Sequence, residues 1–337
     1  MLVKREKLLQ IAKSALIHVG ESEENAGIVA ESMVKADMRG VTTHGTYLID
    51  GIKKRKEGNQ ITLPTVVSVV SDSGATAVLD GNDGIGMVAA HKAADLAVEK
   101  AKAFGIGIVL IRNTNNVGTL STYTQKVTDR GMIAFLCGNA APSVAPWGSS
   151  EAMIGTNPLS IGFPIPGGIF NSDMATTVVA RGKIRKALRN GEKIPDNWAS
   201  DEEGKPTTDP AEAMKGTLFP IGGAKGSAIA LSIDLLSGLL SGSSYAKDVK
   251  SFHVLEGKTG VGAAIIVIDP QRFMGAEEYD RKIGEYVQKI KEAKRAPGFD
   301  RILMPGEIEA EKEKKSAESG IEIDDAQLER LSEICGD

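Results

Sequence analysis

The sequence is poor in cysteine, histidine and long apolar runs, and each shortage excludes a class of protein. Two cysteines, Cys137 and Cys335, occur in 337 residues, which excludes a disulfide-stabilised secreted domain. The four histidines are scattered and form no paired short spacing with the cysteines, so no metal site is predicted. No run of about 18 apolar residues is present, so no membrane-spanning helix is expected.

Charge of one sign is also lacking. Lysine and arginine number 40 and aspartate and glutamate 44, which gives a formal net charge of −4. A chain with this balance has no overall electrostatic attraction to nucleic acid or to anionic membranes, so neither is an expected partner. The N-terminus MLVKREKLLQ contains no apolar signal segment, and a cytoplasmic location is therefore expected.

Glycine is abundant, with 38 residues, whereas the chain holds two tryptophans, five tyrosines and eight phenylalanines. The length predicts two domains, or one domain with an elaborated lobe. Helical patterns occupy both ends and strand patterns the middle. An α/β sheet domain over 65–269 is therefore expected, with a helical lobe built from both termini, over 1–64 and 270–337.

The spacing of apolar residues predicts the individual elements. Helices are expected over 4–19, 23–39, 47–60, 87–104, 119–130, 176–191, 227–240, 275–294, 306–316 and 324–335. Strands are expected over 66–70, 76–79, 106–111, 133–137 and 263–268. Helix 227–240 is apolar on most faces and should be buried. Residues 138–175 are predicted to form one long functional loop, because idle loops are rarely so long.

No glycine motif of the Rossmann or P-loop type follows a strand and opens a helix, so neither fold is predicted. The best remaining anion site is GGAKG at 222–226, where a glycine turn leads into a helix and Lys225 adds a positive charge. The same pattern is also typical of an ordinary glycine turn with a solvated lysine.

Two polar loops contain candidate catalytic groups. His44, in the segment TTHG at 42–45, has the side-chain chemistry of a proton carrier, although it could equally be a hydrogen-bonding loop residue. The segment NTNNVG at 113–118 follows a buried strand, where α/β sheets place ligands, and its asparagines could bind a carbonyl or cap the next helix. Asp173 could be no more than the N-cap of the helix expected at 176–191.

Several segments together resemble one known family. They are RGVTTHG, IRNTNNVG, APWG…MIGTNPLSIGFP, SDMATTVVARGKI, PIGGAKG and FMG…MPGEIE. In this order and spacing they are similar to the malate/L-lactate dehydrogenase family, from about residue 5 to 335. The resemblance implies a non-Rossmann sheet domain that binds NAD or NADP. It also implies a homodimer, with the cofactor between domains and near the partner subunit.

The resemblance assigns site residues by motif. It implies that the cofactor contacts Ala140, Pro142, Thr156, Asp173, Met174, Ala175 and Lys225. His44 matches the histidine of the family's Ser-His-Gly motif, with Thr43 in place of the serine. No metal is implied.

The sequence departs from the family pattern on the substrate side. Asn116 stands where the family has a histidine that donates and accepts a proton, and asparagine cannot exchange a proton at neutral pH. Leu48 replaces the arginine that binds a substrate carboxylate, and Ile52 replaces a tyrosine. A standard 2-oxo acid is therefore not the expected substrate, unless another cation such as Lys53 binds the carboxylate.

Three functions remain open on these residues. The first is an NAD(P)-dependent oxidoreductase that transfers hydride between the cofactor and a small carbonyl, hydroxy or imine compound. His44 would then exchange the proton, with help from Thr43, and Asn116 would polarise the carbonyl. The second is a redox-neutral enzyme that retains or consumes the nicotinamide cofactor. The third is a non-catalytic NAD(P)-binding protein.

Overall fold

A computed structural model describes residues 1–335 of the chain. The helices are α1 (Arg5–Val19), α2 (Glu23–Met38), α3 (Leu48–Glu57), α4 (Gly86–Phe104), α5 (Ser121–Thr128), α6 (Arg181–Asn190), α7 (Pro210–Lys215), α8 (Ala224–Asp234), α9 (Ala276–Lys291), α10 (Glu307–Ser319) and α11 (Asp325–Cys335). The strands are β1 (Leu2–Val3), β2 (Ser68–Ser73), β3 (Thr76–Asp80), β4 (Ile106–Thr114), β5 (Ile133–Gly138), β6 (Leu159–Phe163), β7 (Phe170–Met174), β8 (Val261–Ile268) and β9 (Ile321–Glu322).

The two ends of the chain share one hydrophobic core. β1 pairs with β9 in antiparallel register, and α1 packs against both α2 and α11. Leu8 and Leu16 of α1 are buried in the same cluster as Leu331 of α11. Gly20 ends α1 in the left-handed region, at φ 110°, and the Ser22 side chain accepts the first free N–H of α2. The predicted helical lobe at the termini follows from these contacts, whereas its boundaries stay a prediction.

The central sheet has seven strands in the order β2-β3-β4-β8-β5-β6-β7. β3 and β4 run parallel, and every other neighbouring pair in this sheet is antiparallel. A Rossmann sheet is mostly parallel and carries a glycine turn after its first strand. The mixed sheet therefore confirms an α/β fold that is not of the Rossmann type.

The alanine-rich face of α4 brings that helix close to the sheet. Ala93, Ala94 and Ala97 are fully buried against β4 and its neighbours. A methyl group at Gly107 would lie 2.1 Å from the Ala97 carbonyl oxygen, so a larger residue there would force α4 away. This packing fixes the carboxyl end of β4, from which the polar segment 113–118 emerges.

The prediction of one irregular loop over 138–175 is wrong, because this stretch contains β6 and β7. These strands pair as a hairpin at the edge of the sheet, from Leu159 opposite Met174 to Phe163 opposite Phe170. Asp173 lies in β7 and does not cap a helix, since α6 begins later, at Arg181. Glycine and proline hid the strand pattern here, because the edge of a sheet tolerates residues that its centre does not.

The prediction that helix 227–240 is buried is also wrong. The segment forms α8 and then a π-helical turn over Leu235–Leu239, and it packs on the sheet with one face only. Leu235 is 56% exposed and Leu240 61% exposed on the other face. Apolar residues on most faces of this helix therefore mark a surface that this chain alone does not cover. No helix within residues 1–335 is long and apolar enough to cross a membrane.

Candidate functional site

A buried carboxylate supports the turn that carries His44. The turn spans Thr42–His44 between α2 and α3. Asp37 accepts hydrogen bonds from the Thr46 N–H at 2.9 Å and from the Thr46 hydroxyl at 2.8 Å. Gln327 of α11 donates to the same hydroxyl oxygen at 2.7 Å. A methyl group at Gly45 would overlap the Asp37 carboxylate, so position 45 must remain glycine while the turn is held this way.

His44 is half-buried and lies against Asn116. Its Nδ1 atom is buried and finds no hydrogen-bond partner among the described residues. Burial lowers the pKa of His44, and a hydrogen bond with the Asn116 side chain acts in the opposite direction. The imidazole is therefore neutral at pH 7, and a free ring nitrogen is available to a ligand.

Asn116 has two roles that the sequence left as alternatives. Its Oδ1 atom accepts a hydrogen bond from the Gly118 N–H at 2.7 Å, which stabilises the turn before α5. The same amide also lies within hydrogen-bonding reach of His44. The neighbouring Asn115 is different, because its amide donates to the Asp83 and Gly84 carbonyls inside the fold.

The positions that depart from the family pattern line an apolar wall beside His44. Leu48 is 1% exposed and Ile52 is 2% exposed. A small cavity separates them from Met87, Asn116 and Phe252. Neither position offers a charged group, so an anionic ligand at His44 would find no cation there.

Arg55 holds the loop that closes this wall. Its side chain is fully buried, and the guanidinium donates to the Phe252 carbonyl at 2.8 Å, the Val254 carbonyl at 2.9 Å and the Gly257 carbonyl at 3.0 Å. It also lies 5.2 Å from the centre of the Phe252 ring. The sequence gave no signal for this role, because Arg55 stands in a basic run that resembles a solvated helix face.

Four separate segments meet on the side of the site that was assigned to the cofactor. The Ala140 N–H donates to Asn157 Oδ1 at 3.1 Å. The Thr156 carbonyl accepts from both the N–H and the hydroxyl of Thr176, each at 2.9 Å. The Ile221 N–H donates to the Thr176 carbonyl at 2.9 Å. The structure thus joins residues 140, 156, 176 and 221 into one hydrogen-bonded unit.

The predicted glycine turn directly precedes α8. Gly222 and Gly223 have φ angles of 59° and 63°, which favour glycine. Lys225 is exposed in the first turn of the helix, where backbone N–H groups lack intrahelical partners. A side chain at Gly223 would meet the ring of Trp147 at 3.1 Å, so the turn must stay bare. Bare N–H groups beside a lysine fit an anionic phosphate group.

Asp173, Met174 and Ala175 lead from β7 into this unit. The Asp173 carboxylate accepts a hydrogen bond from the Ser121 N–H at 2.8 Å, at the start of α5. It remains accessible to solvent although the surrounding protein crowds it, and this crowding raises the pKa of its carboxyl. Met174 is 42% exposed, and Ala175 and Pro142 are half-buried.

Thr43 and the start of α6 lie close together. A methyl group at Gly182 would be 3.8 Å from Thr43 Cγ2. His253, which follows Phe252, is exposed, and its pKa is lowered by burial and by the charges of Arg185, Arg55 and His44. Sequence reasoning had set His253 aside as a loop residue without partners, because residues so distant in the chain give no local signal of contact.

The other candidate groups have structural environments. Burial raises the pKa of the Cys137 thiol to about 12, as expected for a small buried side chain. His91 Nε2 lies 2.8 Å from the Ser32 hydroxyl, and burial lowers the pKa of His91 to about 4. Within residues 1–335, no group of histidine, cysteine and acidic side chains could hold a metal ion.

Comparison with known proteins gives a consistent result over nearly the whole chain. The model of the family described as malate/L-lactate dehydrogenase matches residues 3–332. The chain is 41% identical over 338 residues to L-sulfolactate dehydrogenase of Methanocaldococcus jannaschii, which covers 100% of this chain and 97% of that protein. It is 33% identical to ureidoglycolate dehydrogenase (NAD(+)) of Escherichia coli, over 96% of this chain and 93% of that one. The crystal structure of the M. jannaschii sulfolactate dehydrogenase superposes with a TM-score of 0.94 at 40% identity, over 100% of this chain and 97% of that one.

Proposed function

The chain belongs to the malate/L-lactate dehydrogenase family, and from this premise we propose that it is an NAD(P)-dependent oxidoreductase. It transfers hydride between a nicotinamide cofactor and a small carbonyl, hydroxy or imine compound. The observation that carries the proposal is the neutral imidazole of His44, with a free ring nitrogen, beside the amide of Asn116. A group that exchanges a proton and a group that polarises a carbonyl are what hydride transfer needs from the protein.

The residues on the cofactor side suit a dinucleotide. The bare turn at Gly222 and Gly223, with Lys225 in the next helix, would hold the phosphates. Ala140, Pro142, Thr156 and the stretch from Asp173 to Ala175 would line the rest of the binding site. The cofactor supplies hydride chemistry when it is bound. Choice between NAD and NADP is part of the proposal's test.

His44 and Asn116 carry the proton chemistry in this proposal. In the direction of reduction, His44 donates a proton to the substrate oxygen or nitrogen, and in oxidation it accepts one. The Asn116 amide polarises the carbonyl by hydrogen bonding and cannot exchange a proton itself. Thr43, exposed beside His44, offers a hydroxyl to the same substrate atom.

The substrate is not a standard 2-oxo acid in this proposal. A carboxylate beside the reacting carbon would face the apolar side chains of Leu48 and Ile52. An arginine that binds such a carboxylate contributes about 1.5–3 kcal/mol through a charge-assisted hydrogen bond. The absence of that group at position 48 favours substrates whose carbonyl has no adjacent carboxylate.

A homodimer is also part of the proposal. The apolar face of α8 and the following turn exposes Leu235, Leu239 and Leu240. Large exposed apolar patches of this kind mark protein interfaces. Leu240→Glu should shift the protein to monomers in sedimentation velocity, whereas Val69→Glu, on the exposed strand β2, should not. A wild-type protein that sediments as a monomer would exclude the homodimer. The cytoplasmic location stays a prediction.

Cofactor binding and turnover test the function together. NADH, NADPH, NAD⁺ and NADP⁺ are titrated into the purified protein, and a panel of aldehydes, ketones, imines and 2-oxo acids follows. The cofactor is analysed by mass spectrometry after incubation. Stoichiometric oxidation of the reduced cofactor supports the oxidoreductase.

Two other outcomes point to the alternatives. Cofactor that is cleaved, or that returns unchanged while a product forms, would indicate a redox-neutral enzyme. Binding without turnover of any compound would indicate a non-catalytic NAD(P)-binding protein. Absence of cofactor binding would contradict the proposal and both of these alternatives.

A further inference from the structure

Helix α6 is strongly basic and has no acidic residue. Its ten residues carry five cations, Arg181, Lys183, Arg185, Lys186 and Arg189. Arg181 is used inside the fold, where it donates to the Met214 and Gly216 carbonyls. The other four are exposed and form no ion pair with any residue of the described chain. A helix face with uncompensated charge attracts anions.

The start of α6 lies beside the turn that carries His44. Gly182 approaches Thr43 closely, since a methyl group at Gly182 would lie 3.8 Å from Thr43 Cγ2. Successive helical residues are rotated by about 100°, so Arg185 lies within about 60° of Gly182 and one turn farther along. Arg185 therefore projects from the side of α6 that borders the candidate site.

A second potentially cationic group reaches the same place from another loop. His253 follows Phe252, whose carbonyl is fixed by buried Arg55. The charges that act on the His253 imidazole come from Arg185, Arg55 and His44, and no carboxylate acts on either His253 or His44. Two separate elements thus place positive groups around His44 without an acidic residue that would neutralise them.

We propose that Arg185 and His253 form an anion-binding subsite at the mouth of the His44 site. It binds a carboxylate, sulfonate or phosphate group of the substrate that is separated from the reacting carbonyl carbon. The substrate class is therefore an oxo or hydroxy compound with a remote anionic group, which compensates for Leu48. This substrate assignment rests on the proposed function, whereas anion binding itself does not.

Calorimetric titration with sodium sulfate tests the subsite without any enzyme activity. We expect the wild type to bind sulfate and Arg185→Ala to weaken binding at least tenfold. Arg189→Ala, which removes the same charge one turn farther from Thr43, should change binding less than twofold. Wild-type binding should tighten between pH 8 and pH 5.5 as His253 gains a proton, and His253→Ala should reduce this dependence. The subsite is wrong if the wild type binds no sulfate, or if Arg185→Ala and Arg189→Ala behave alike.

The same variants distinguish the source of the anionic group. If Arg185→Ala weakens NADPH binding and leaves NADH binding unchanged, the anion is the cofactor's extra phosphate, and the substrate assignment is overturned. If the variant raises KM for an anionic substrate but not for an uncharged one, with both cofactor affinities unchanged, the assignment is supported. Sulfate binding that depends on Arg185, in a protein without oxidoreductase activity, would retain the subsite and refute the proposed function. Turnover that Arg185→Ala leaves unchanged, for anionic substrates too, would do the reverse.

Discussion

The cofactor side and the substrate side of the candidate site are built in different ways. On the cofactor side, residues 140, 156, 176 and 221 are joined largely through backbone N–H and carbonyl groups. On the substrate side, the chemistry belongs to side chains, those of His44, Asn116 and the wall at Leu48. A backbone framework persists through many substitutions, whereas a side-chain site changes with one. This difference explains why the family motifs remain on one side and depart on the other.

The sharpest break between the two sides is expected from His44→Ala. Turnover should fall about 10²–10⁴-fold, which is the usual contribution of one positioned acid or base. The dissociation constant for NADH should stay the same, because His44 lies outside the cofactor-side unit. Steady-state kinetics and cofactor titration on one preparation check both. His18→Ala, on the exposed face of α1, is the control. Unchanged turnover in His44→Ala would show that another group moves the proton.

Gly226→Val tests the backbone framework on the cofactor side. A methyl group at Gly226 would lie 1.9 Å from the Ile221 carbonyl oxygen, so the turn before α8 must open. The free energy of unfolding should fall by about 4 kcal/mol in urea titrations. In α9, Gly284 has no neighbour within 4 Å of such a methyl group. Gly284→Ala should therefore be neutral or stabilise by up to about 1 kcal/mol. Equal losses in the two variants would contradict the role of the turn.

Asp37 gives the substrate side a pH-dependent support. Burial raises the pKa of Asp37 to about 6, above its ordinary value of 3.8. The folded state then binds the proton more tightly, so this group lowers the free energy of unfolding as pH rises from about 4 to 6. The loss approaches about 3 kcal/mol above pH 6, at 1.36 kcal/mol for each pKa unit. Urea titrations of the wild type and Asp37→Asn across this range should diverge, the variant gaining relative stability towards pH 7. Parallel pH profiles would refute the assignment.

Arg55→Met separates the wall of the substrate side from its chemistry. The variant retains an apolar side chain but leaves the 252–257 carbonyls without their donor. Stability should fall by about 2 kcal/mol, since the loop can regain water. Limited proteolysis should cut near Val254 sooner than in the wild type. Lys54→Met, which removes an exposed pair with Asp50, should cost less than about 1 kcal/mol and leave cleavage unchanged. Unaltered proteolysis in Arg55→Met would mean that the guanidinium does not hold the loop.

Sequence patterns predicted the helices and most strands because their apolar periodicity is local. The N-cap at Ser22 and the glycine stop at Gly20 could be read directly. The edge hairpin of β6 and β7 was missed, because its strands are stabilised by pairing and carry little pattern of their own. The burial predicted for helix 227–240 failed because composition indicates that a face needs cover and says nothing about which molecule covers it.

The sequence by itself determined the family, the absence of a Rossmann turn and the three substituted positions at Leu48, Ile52 and Asn116. The tertiary structure alone decided which distant groups meet. It buried Arg55 under the 252–257 loop, set Asp37 beneath the His44 turn, and brought Arg185 and His253 to one side of that turn. Local patterns report the faces of single elements. Contacts between residues 70 to 200 positions apart depend on how those elements pack, which no short stretch of sequence encodes.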